Sequence, residues 1–470
     1  MPSMDNFSVE GRWWLPGCVK DAVPGSFNFQ GGDAALTVYG SLSRPGAAQG
    51  PSCGLRLVVH RVVHGHTNAG VNITLFSAHG VESSWPGTDS KTTFLVEGGV
   101  SGRQLDADAF SVIGFELDYL PPWLNPPNLL NQEDFNTLAV DLKTHVLAEV
   151  PLDGADLKIR TTMHGSWSPD VDLHQSTTIW VELVQPLSYT DALRRYVRPV
   201  EDLLALCLDR PVSLSRFLGS APGDGDRDPA VPIFFRNAGI EPTREPSLSD
   251  IVGMGSNTLL WVSDSPMSAS ELLERWFAQY DELRPALVPL LGRHYAAFMY
   301  AEHELISTVS AAEALHNQLS TFESRQLPKA DHTQRVLAVL NPATKDGVDT
   351  GVLDWAHRVL DNANKKPLKE LVVELLDATG EVGRAILDAE PVFCANIVSL
   401  RVPVAHGNTG SRRQLSHAQR HRHDQALRWV VRCLVIGELL DDHAEAQRRV
   451  LSKESFKFAV RRLADPKGTE

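Results

Sequence analysis

Short runs of β-branched and aromatic residues dominate the first part of the chain. Such runs lie at 36–39, 55–63, 71–76, 92–97, 110–117, 157–163 and 177–184. Clusters of Gly, Pro and Asn separate them, which is typical of antiparallel strands joined by turns. The pattern predicts a β-rich, sandwich- or barrel-like N-terminal domain over residues 1–189.

The apolar spacing changes from two residues to the helical period of about 3.6 residues near Tyr189. Residues 191–208 and 268–291 have this spacing, and two strand-like runs at 231–235 and 258–262 separate them. We interpret residues 190–295 as a mixed, mainly helical extension of the N-terminal domain.

Only helical patterns follow Ala296. They cover residues 296–319, 333–340, 353–362, 368–378, 382–389, 392–400, 417–444 and 453–463. Short polar connections between them are typical of an antiparallel helix bundle. The sequence therefore predicts an α+β multidomain protein with an all-α domain over residues 296–470.

Composition places the chain among ordinary globular proteins, with 43% hydrophobic and 22% charged residues among its 470. No run of about 18 apolar residues is present, and the N-terminus lacks the basic start and apolar stretch of a signal peptide. We expect a cytoplasmic protein. The five cysteines are dispersed without a Cys-x-x-Cys pair, which argues against a disulfide framework and against a zinc knuckle.

The charge distribution is uneven. The net charge of −14 excludes a protein that coats nucleic acid over its whole surface. Residues 401–436 nevertheless contain seven arginines and a single acid, giving a local charge of +6, together with four histidines. This segment predicts a confined anion-binding surface, and a merely solvated helix face is the alternative.

The segment begins with Arg401-Val-Pro-Val-Ala-His406. Because Pro403 disfavours a helical conformation at the preceding residue and removes a backbone donor, we expect the helix over 392–400 to end or kink at Arg401. His406 would then lie at a chain reversal marked by the glycines of 407–410.

An arginine and a histidine together suit metal-independent RNA cleavage. Neutral imidazole, with an ordinary pKa of about 6.5, can take the proton of a 2′-hydroxyl group. A guanidinium group can hold the scissile phosphate and stabilise the charge that develops as the 2′-oxygen attacks. The product would be a 2′,3′-cyclic phosphate, and neither a cofactor nor a metal is required.

Three segments, one of which contains this motif, together resemble a known domain family. Residues 310–316 read Ser-Ala-Ala-Glu-Ala-Leu-His within one amphipathic helix, residues 396–407 contain the Arg401–His406 motif, and an apolar helix over 427–436 follows. This order resembles a HEPN domain, and in particular the ApeA-type branch. Residues 7–16, 25–29 and 36–42 are similar to the opening of the ApeA N-terminal domain.

The resemblance implies an antiviral endoribonuclease of bacteria that acts by abortive infection. It implies a homodimer or higher homo-oligomer with a composite active site, an RNA substrate and a phage-derived trigger. Arg401 and His406 would be catalytic, and Glu313 would occupy the acidic position of the earlier helix. Asn396 would form a hydrogen bond at the cleft, although both Glu313 and Asn396 also fit structural roles.

The basic segment would supply RNA contacts through Arg412, Arg413, Arg420 and Arg422. One departure from the family pattern is Val402, where a polar residue commonly follows the motif arginine. Two alternatives stay open: a non-catalytic HEPN module that binds RNA or a nucleotide, and a structural adaptor that only dimerises. The spacing of His417, His421 and His423 would also permit a metal site, but it lacks cysteines and has a single neighbouring acid.

Overall fold

A computed structural model describes residues 6–30, 32–42, 54–84, 91–134, 137–166, 172–223, 230–236, 257–296, 298–323, 325–345, 349–406 and 416–465. The chain forms two compact units. The first comprises Met1–Phe277 and Tyr295–Ala297, and the second comprises Ala278–His294 and Phe298–Glu470. No helix within the described residues has the length and apolar character needed to cross a bilayer.

Six strands of the first unit close into an antiparallel barrel. They are β1 (Phe7–Trp14), β2 (Val23–Gln30), β3 (Asp33–Tyr39), β4 (Gly54–Thr67), β5 (Asn72–Ser84) and β6 (Lys91–Ser101). Their order is β6-β3-β2-β1-β4-β5, and β5 pairs again with β6. Side chains alternate between the two faces of each strand, so the inward positions, including Trp13, Phe27, Leu36 and Phe94, form the barrel core.

The remaining strands extend this sheet from β6. They are β7 (Phe110–Leu117), β8 (Leu130–Asp134), β9 (Thr137–Val140), β10 (His145–Leu152), β11 (Ala155–Ser166), β12 (Asp172–Leu187), β13 (Leu214–Ser220) and β14 (Val231–Phe235). Strand β14 pairs with β6, and the order continues as β13-β7-β12-β11-β10, while β8 and β9 form a separate pair. A short helix, α1 (Leu120–Leu124), follows β7.

A helical segment lies between β12 and β13. It consists of α2 (Tyr189–Ala192), a π-helical stretch (Leu193–Val197) and α3 (Arg198–Leu208). Ser188 caps its start by accepting a hydrogen bond from the Asp191 amide at 3.1 Å. Every residue of α3 from Pro199 to Leu208 except Asp202 is buried. Burial raises the pKa of Glu201 to about 7, although Arg198, 2.7 Å away, lowers it in part.

The second unit is helical. Helix α4 (Ala269–Tyr295) contributes residues to both units. The others are α5 (Ala301–Gln318), α6 (Lys329–Lys345), α7 (Thr350–Asn362), α8 (Leu368–Ala378), α9 (Glu381–Ala389), α10 (Phe393–His406), α11 (His417–Leu440), α12 (His443–Ser452) and α13 (Glu454–Ala464). The predicted fold class, a β-rich N-terminal region followed by a helical C-terminal region, is confirmed.

The barrel core depends on a glycine opposite a tryptophan. Trp13 on β1 pairs with Gly65 on β4, and the Trp13 ring covers the position that a Cβ at residue 65 would occupy. Trp13 is completely buried. The indole can therefore lie flat across the neighbouring strand only because residue 65 has no side chain.

We predict that Gly65→Ala destabilises the protein by about 1–3 kcal/mol, because the new methyl group overlaps a ring that has no free space to move into. Gly292→Ala is the matched control, since nothing lies within 4 Å of a Cβ there and alanine favours a helix by roughly 0.5–1 kcal/mol. Urea unfolding followed by tryptophan fluorescence measures both. Equal stability of the two variants would contradict this packing.

Candidate functional site

Helix α11 lies at the centre of the second unit. It begins with a capping box, in which Ser416 Oγ accepts from the Gln419 amide and Gln419 Oε1 accepts from the Ser416 amide at 2.8 Å. From Ala426 to Gly437 every residue is buried. Helices α5, α8, α9, α10, α12 and α13 pack against it. Because α11 is buried on all sides, the helices that pack against it are held in fixed positions, and so are the side chains that they carry.

The Arg401–His406 motif lies on α10, one of these neighbours. Of the two predictions for Arg401, a helix end or a kink, the helix end is wrong, because α10 continues through Pro403 and ends at His406. Proline has a helical φ and removes a single hydrogen bond, and α10 is already packed against α5, α8 and α11. The two motif positions are five residues apart, a rise of about 7.5 Å along the axis. The side chains of 401–406, and residues 407–415 entirely, lie outside the described part of the chain.

Asn396 joins α10 to α11. Its Nδ2 atom lies 3.3 Å from Nε2 of His423. The Nδ1 atom of His423 donates to the Gln419 carbonyl at 2.7 Å, which leaves Nε2 as the acceptor for the amide of Asn396. The imidazole also stacks on Phe393, with ring centroids 5.3 Å apart and planes 9° from parallel. One hydrogen bond and one stack thus fix the first turn of α10 against α11, and the bond to Gln419 within α11 orients the imidazole for both.

His423 is neutral in this position. Its side chain is buried, and burial lowers its pKa below the ordinary value, although the hydrogen bond to Gln419 raises it in part. A neutral imidazole held on both nitrogens cannot exchange protons with a substrate easily, so His423 positions α10. The sequence showed His423 as part of a basic segment, and it held no signal of the contact with Asn396.

Glu313 is half-buried on α5, which packs against both α10 and α11. Arg420, at the start of α11, forms an ion pair with Glu302 of α5 and keeps 21% of its side chain exposed. Arg412 and Arg413 lie outside the described residues. The structure therefore places Glu313 on α5, Asn396 on α10 and Arg420 on α11, three helices that pack against one another.

Arg422 has a different environment from the RNA-facing one that we expected. It is 6% exposed, and its Nη1 atom donates to the carbonyls of Arg462 at 3.1 Å and Asp465 at 2.6 Å. These carbonyls end α13, where a cation is favourable. Arg422 caps the last helix in this structure and does not face solvent.

Two further arginines of the basic segment are also buried. Arg428 is 5% and Arg432 is 2% exposed. The guanidinium carbon of Arg432 lies 4.8 Å from the ring centroid of Trp429, a cation–π contact. The predicted anion-binding surface of residues 401–436 therefore does not include Arg422, Arg428 or Arg432, because these three side chains are buried inside the bundle.

Asp424 is the acid of the same segment and is completely buried. Thr308 of α5 donates to its Oδ1 atom at 2.5 Å, and Nη1 of Arg293 on α4 lies 3.5 Å from its Oδ2 atom. Burial raises the pKa of Asp424 above its ordinary value, although Arg428, Thr308 and Arg293 lower it in part. Three helices thus meet at one buried carboxyl group.

Glu304, His421 and Asp424 have candidate metal-ligand atoms within 4.8 Å of one another. Sequence reasoning missed this group because Glu304 comes from α5. The guanidinium group of Arg293 already lies beside Asp424, and Arg428 adds a second positive charge close by. A divalent cation would meet both guanidinium groups, so these residues fit a buried charge network better than a metal site.

His316 on α5 belongs to a second polar contact. It is completely buried, and its Nε2 atom lies 2.7 Å from Oε2 of Glu374 on α8. The ring stacks on Phe322, with centroids 4.6 Å apart. This contact fixes α5 against α8, and α8 in turn packs against α10 and α11.

Two family models match the chain. The model for ApeA N-terminal domain 1 matches residues 8–276, and the model for an Apea-like HEPN domain matches residues 306–440. The second match includes Thr308 and Glu313 of α5 and the whole of α10 and α11. No curated protein and no solved structure matches the chain in the corresponding comparisons.

We predict that Thr308→Val destabilises the helical unit by about 1–3 kcal/mol, because it leaves an oxygen of buried Asp424 without its hydrogen bond. Thr308→Ser retains the hydroxyl group and is the matched control. Thermal unfolding followed by circular dichroism measures the difference. A valine variant as stable as the serine variant would show that the hydroxyl group is not needed.

The lowered pKa of His423 predicts how the stability of the protein depends on pH. Since its folded pKa lies below 6.5, the unfolded state binds a proton that the folded state does not, and stability is lost as pH falls below 6.5. The variant His423→Phe lacks this loss, so its stability should change less over that range. His417→Phe, at an exposed position, should behave as the wild type. Denaturant midpoints at several pH values provide the measurement, and parallel curves for all three proteins would contradict a depressed pKa.

Proposed function

Since the chain belongs to the family in which an ApeA N-terminal domain precedes an Apea-like HEPN domain, we propose that it is a cytoplasmic, metal-independent endoribonuclease of bacterial antiviral defence. The observation that carries the proposal is that both motif positions, Arg401 and His406, lie on one helix, α10, inside the matched HEPN segment. That helix is held against the buried α11 by the contact between Asn396 and His423.

His406 acts as the general base. Its neutral imidazole accepts the proton of the ribose 2′-hydroxyl group, and the 2′-oxygen then attacks the adjacent phosphorus. The bond to the 5′-oxygen of the next nucleotide breaks, and that oxygen takes up a proton. The products are a 2′,3′-cyclic phosphate and a free 5′-hydroxyl group. No metal takes part in these steps.

Arg401 stabilises the charge that develops on the phosphate as the 2′-oxygen attacks. A guanidinium group suits this role because it donates two parallel hydrogen bonds and stays protonated at any cellular pH. We assign Glu313 to orienting the motif side chains from α5, and Asn396 to fixing the start of α10. Arg412, Arg413 and Arg420 contact the phosphate backbone away from the scissile bond.

Two copies of the chain form the working enzyme, with a composite cleft between their HEPN domains. The N-terminal domain responds to a phage-derived trigger and restrains the nuclease in its absence. This division of roles rests on the motif chemistry, which lies in the matched HEPN segment, and on abortive infection as the mode of defence that the family implies. Uncontrolled RNA cleavage would be toxic to the cell, so a restrained state is required.

We predict that His406→Ala and Arg401→Ala each lower the rate of RNA cleavage by about 100- to 10,000-fold, because each removes a group that acts on the transition state. Cleavage of a single-stranded RNA oligonucleotide is measured in excess EDTA, and the cyclic phosphate ends are identified by mass spectrometry. His417→Ala, an exposed histidine at the start of α11, is the matched control and should cleave normally.

Induced expression in a bacterial host provides an assay that includes any cellular activator. The wild type and His417→Ala should arrest growth upon phage infection, whereas His406→Ala should not. Cleavage that requires a divalent metal, or that survives His406→Ala, would overturn the mechanism. RNA binding without cleavage would indicate a binding module, and a dimer that ignores RNA would indicate a structural adaptor.

A further inference from the structure

An exposed aromatic cluster immediately precedes and begins helix α5 in the second unit. Phe298 is 74% and Tyr300 is 62% exposed. Their ring centroids lie 4.9 Å apart at an interplanar angle of 84°, and the ring of the exposed His303 lies 5.9 Å from that of Tyr300 at 88°. We call these three residues the aromatic platform. The contact with Tyr300 is the ring contact that Phe298 makes among the described residues, and a perpendicular contact covers at most one face of a ring. Phe298 therefore keeps at least one face open to solvent.

The backbone of Tyr300 is held in place although its side chain is exposed. Tyr300 is the N-cap residue of α5, and its carbonyl accepts hydrogen bonds from the amides of His303 at 2.9 Å and Glu304 at 3.0 Å. This position favours Ser, Thr, Asp or Asn, whose side chains accept a hydrogen bond from the helix, and the tyrosine side chain makes no such bond. A residue that is unfavourable for the helix and that exposes a large ring is expected where the ring itself has a role.

A guanidinium group lies beside the platform. Glu302, two residues after Tyr300, forms an ion pair with Arg420 at the start of α11, and Arg420 keeps 21% of its side chain exposed. A guanidinium group has five N–H donors, and the pair with Glu302 uses one of its nitrogens. The next acid, Glu304, has its Oε2 atom 3.7 Å from Nδ1 of His421 on α11. Both acids are thus engaged with α11, and Arg420 retains donors for a further anion.

We propose that the aromatic platform binds unpaired nucleobases of RNA by stacking, and that Arg420 holds a phosphate group of the same strand. Open aromatic faces and a guanidinium group match the two parts of a nucleotide, its flat base and its anionic phosphate. The inference rests on the proposed ribonuclease function, because α5 packs against both the motif helix α10 and α11. It narrows the substrate to RNA that is single-stranded at this point, since neighbouring pairs cover the faces of a base inside a duplex.

Fluorescence anisotropy of a labelled single-stranded oligoribonucleotide tests the platform on the full chain, with His406→Ala in every protein so that binding is measured without cleavage. In this background Phe298→Leu should weaken binding by about 5- to 100-fold, because leucine keeps an apolar side chain but has no flat face on which a base can stack. Phe298→Tyr retains the ring and should bind as the parent protein does. Trp355→Leu is the matched control, since Trp355 is 59% exposed on α7, whose main contacts are with α6, and its loss should leave binding unchanged.

Salt dependence separates stacking from the phosphate contact. Arg420→Gln should reduce the slope of log affinity against log salt concentration by about 0.7 in magnitude, because one fewer phosphate of the single strand is neutralised. Phe298→Leu should weaken binding at every salt concentration and leave that slope unchanged. A duplex of the same sequence should bind equally to the parent and to Phe298→Leu, so the preference for the single strand should fall in the variant.

Three results overturn the platform: single-strand binding that Phe298→Leu leaves intact, binding that Phe298→Tyr weakens equally, or a chain that binds no RNA. Intact RNA binding with a changed molecular mass in light scattering would show that the rings contact another protein chain instead. Failure of the ribonuclease proposal has a different signature. In that case Phe298→Leu weakens binding, yet the chain with His406 intact does not cleave the bound RNA in excess EDTA.

Discussion

The helical unit depends on the burial of α11 on all of its faces. Burying a helix completely is favourable for its apolar residues, but α11 also takes Asp424, Arg428 and Arg432 into the interior. Buried charges are tolerated only where other groups pair with them. The neighbouring helices are therefore constrained to bring such groups to fixed places on α11. Thr308 and Arg293 meet Asp424 in this way, from α5 and α4.

The same constraint explains how much of this unit could be predicted. The apolar residues of 427–436 identify α11 from the sequence, because they lie on every side of a helix and such a helix is stable only when it is buried. The burial of its arginines could not be predicted, since their partners are remote in sequence: the carbonyls that bind Arg422 come from the end of α13. Arg432 is stabilised by Trp429, three residues before it, but helical spacing alone does not show whether such a pair is exposed.

Predictions from local sequence preferences were wrong where tertiary packing outweighed those preferences. Pro403 has the local preference to end a helix, yet α10 continues for three more residues, as α4 does through Pro285 and Pro289. In the N-terminal unit, the β-branched runs indicated where the strands lie. Closure of the barrel, however, requires β5 to pair with β6 and β6 to pair with β3. Such pairings join segments far apart in the chain and depend on side-chain fit, such as that of Trp13 over Gly65, so spacing alone does not reveal them.

The burial of these arginines also reduces the attraction for RNA that the basic segment can contribute at the proposed site. A local charge of +6 suggests strong attraction for RNA, but Arg422, Arg428 and Arg432 are all buried. Arg422 donates to two carbonyls, Arg428 interacts electrostatically with the carboxyl group of Asp424, and Arg432 lies over an indole. A charge that is compensated inside the bundle adds little to the potential at the surface. The proposed cleavage must therefore rely on the exact placement of a few groups more than on a broad positive field. The contact between His423 and Asn396 supports this proposal, since a hydrogen-bonded and stacked neutral imidazole holds the first turn of α10 against α11 without adding a charge.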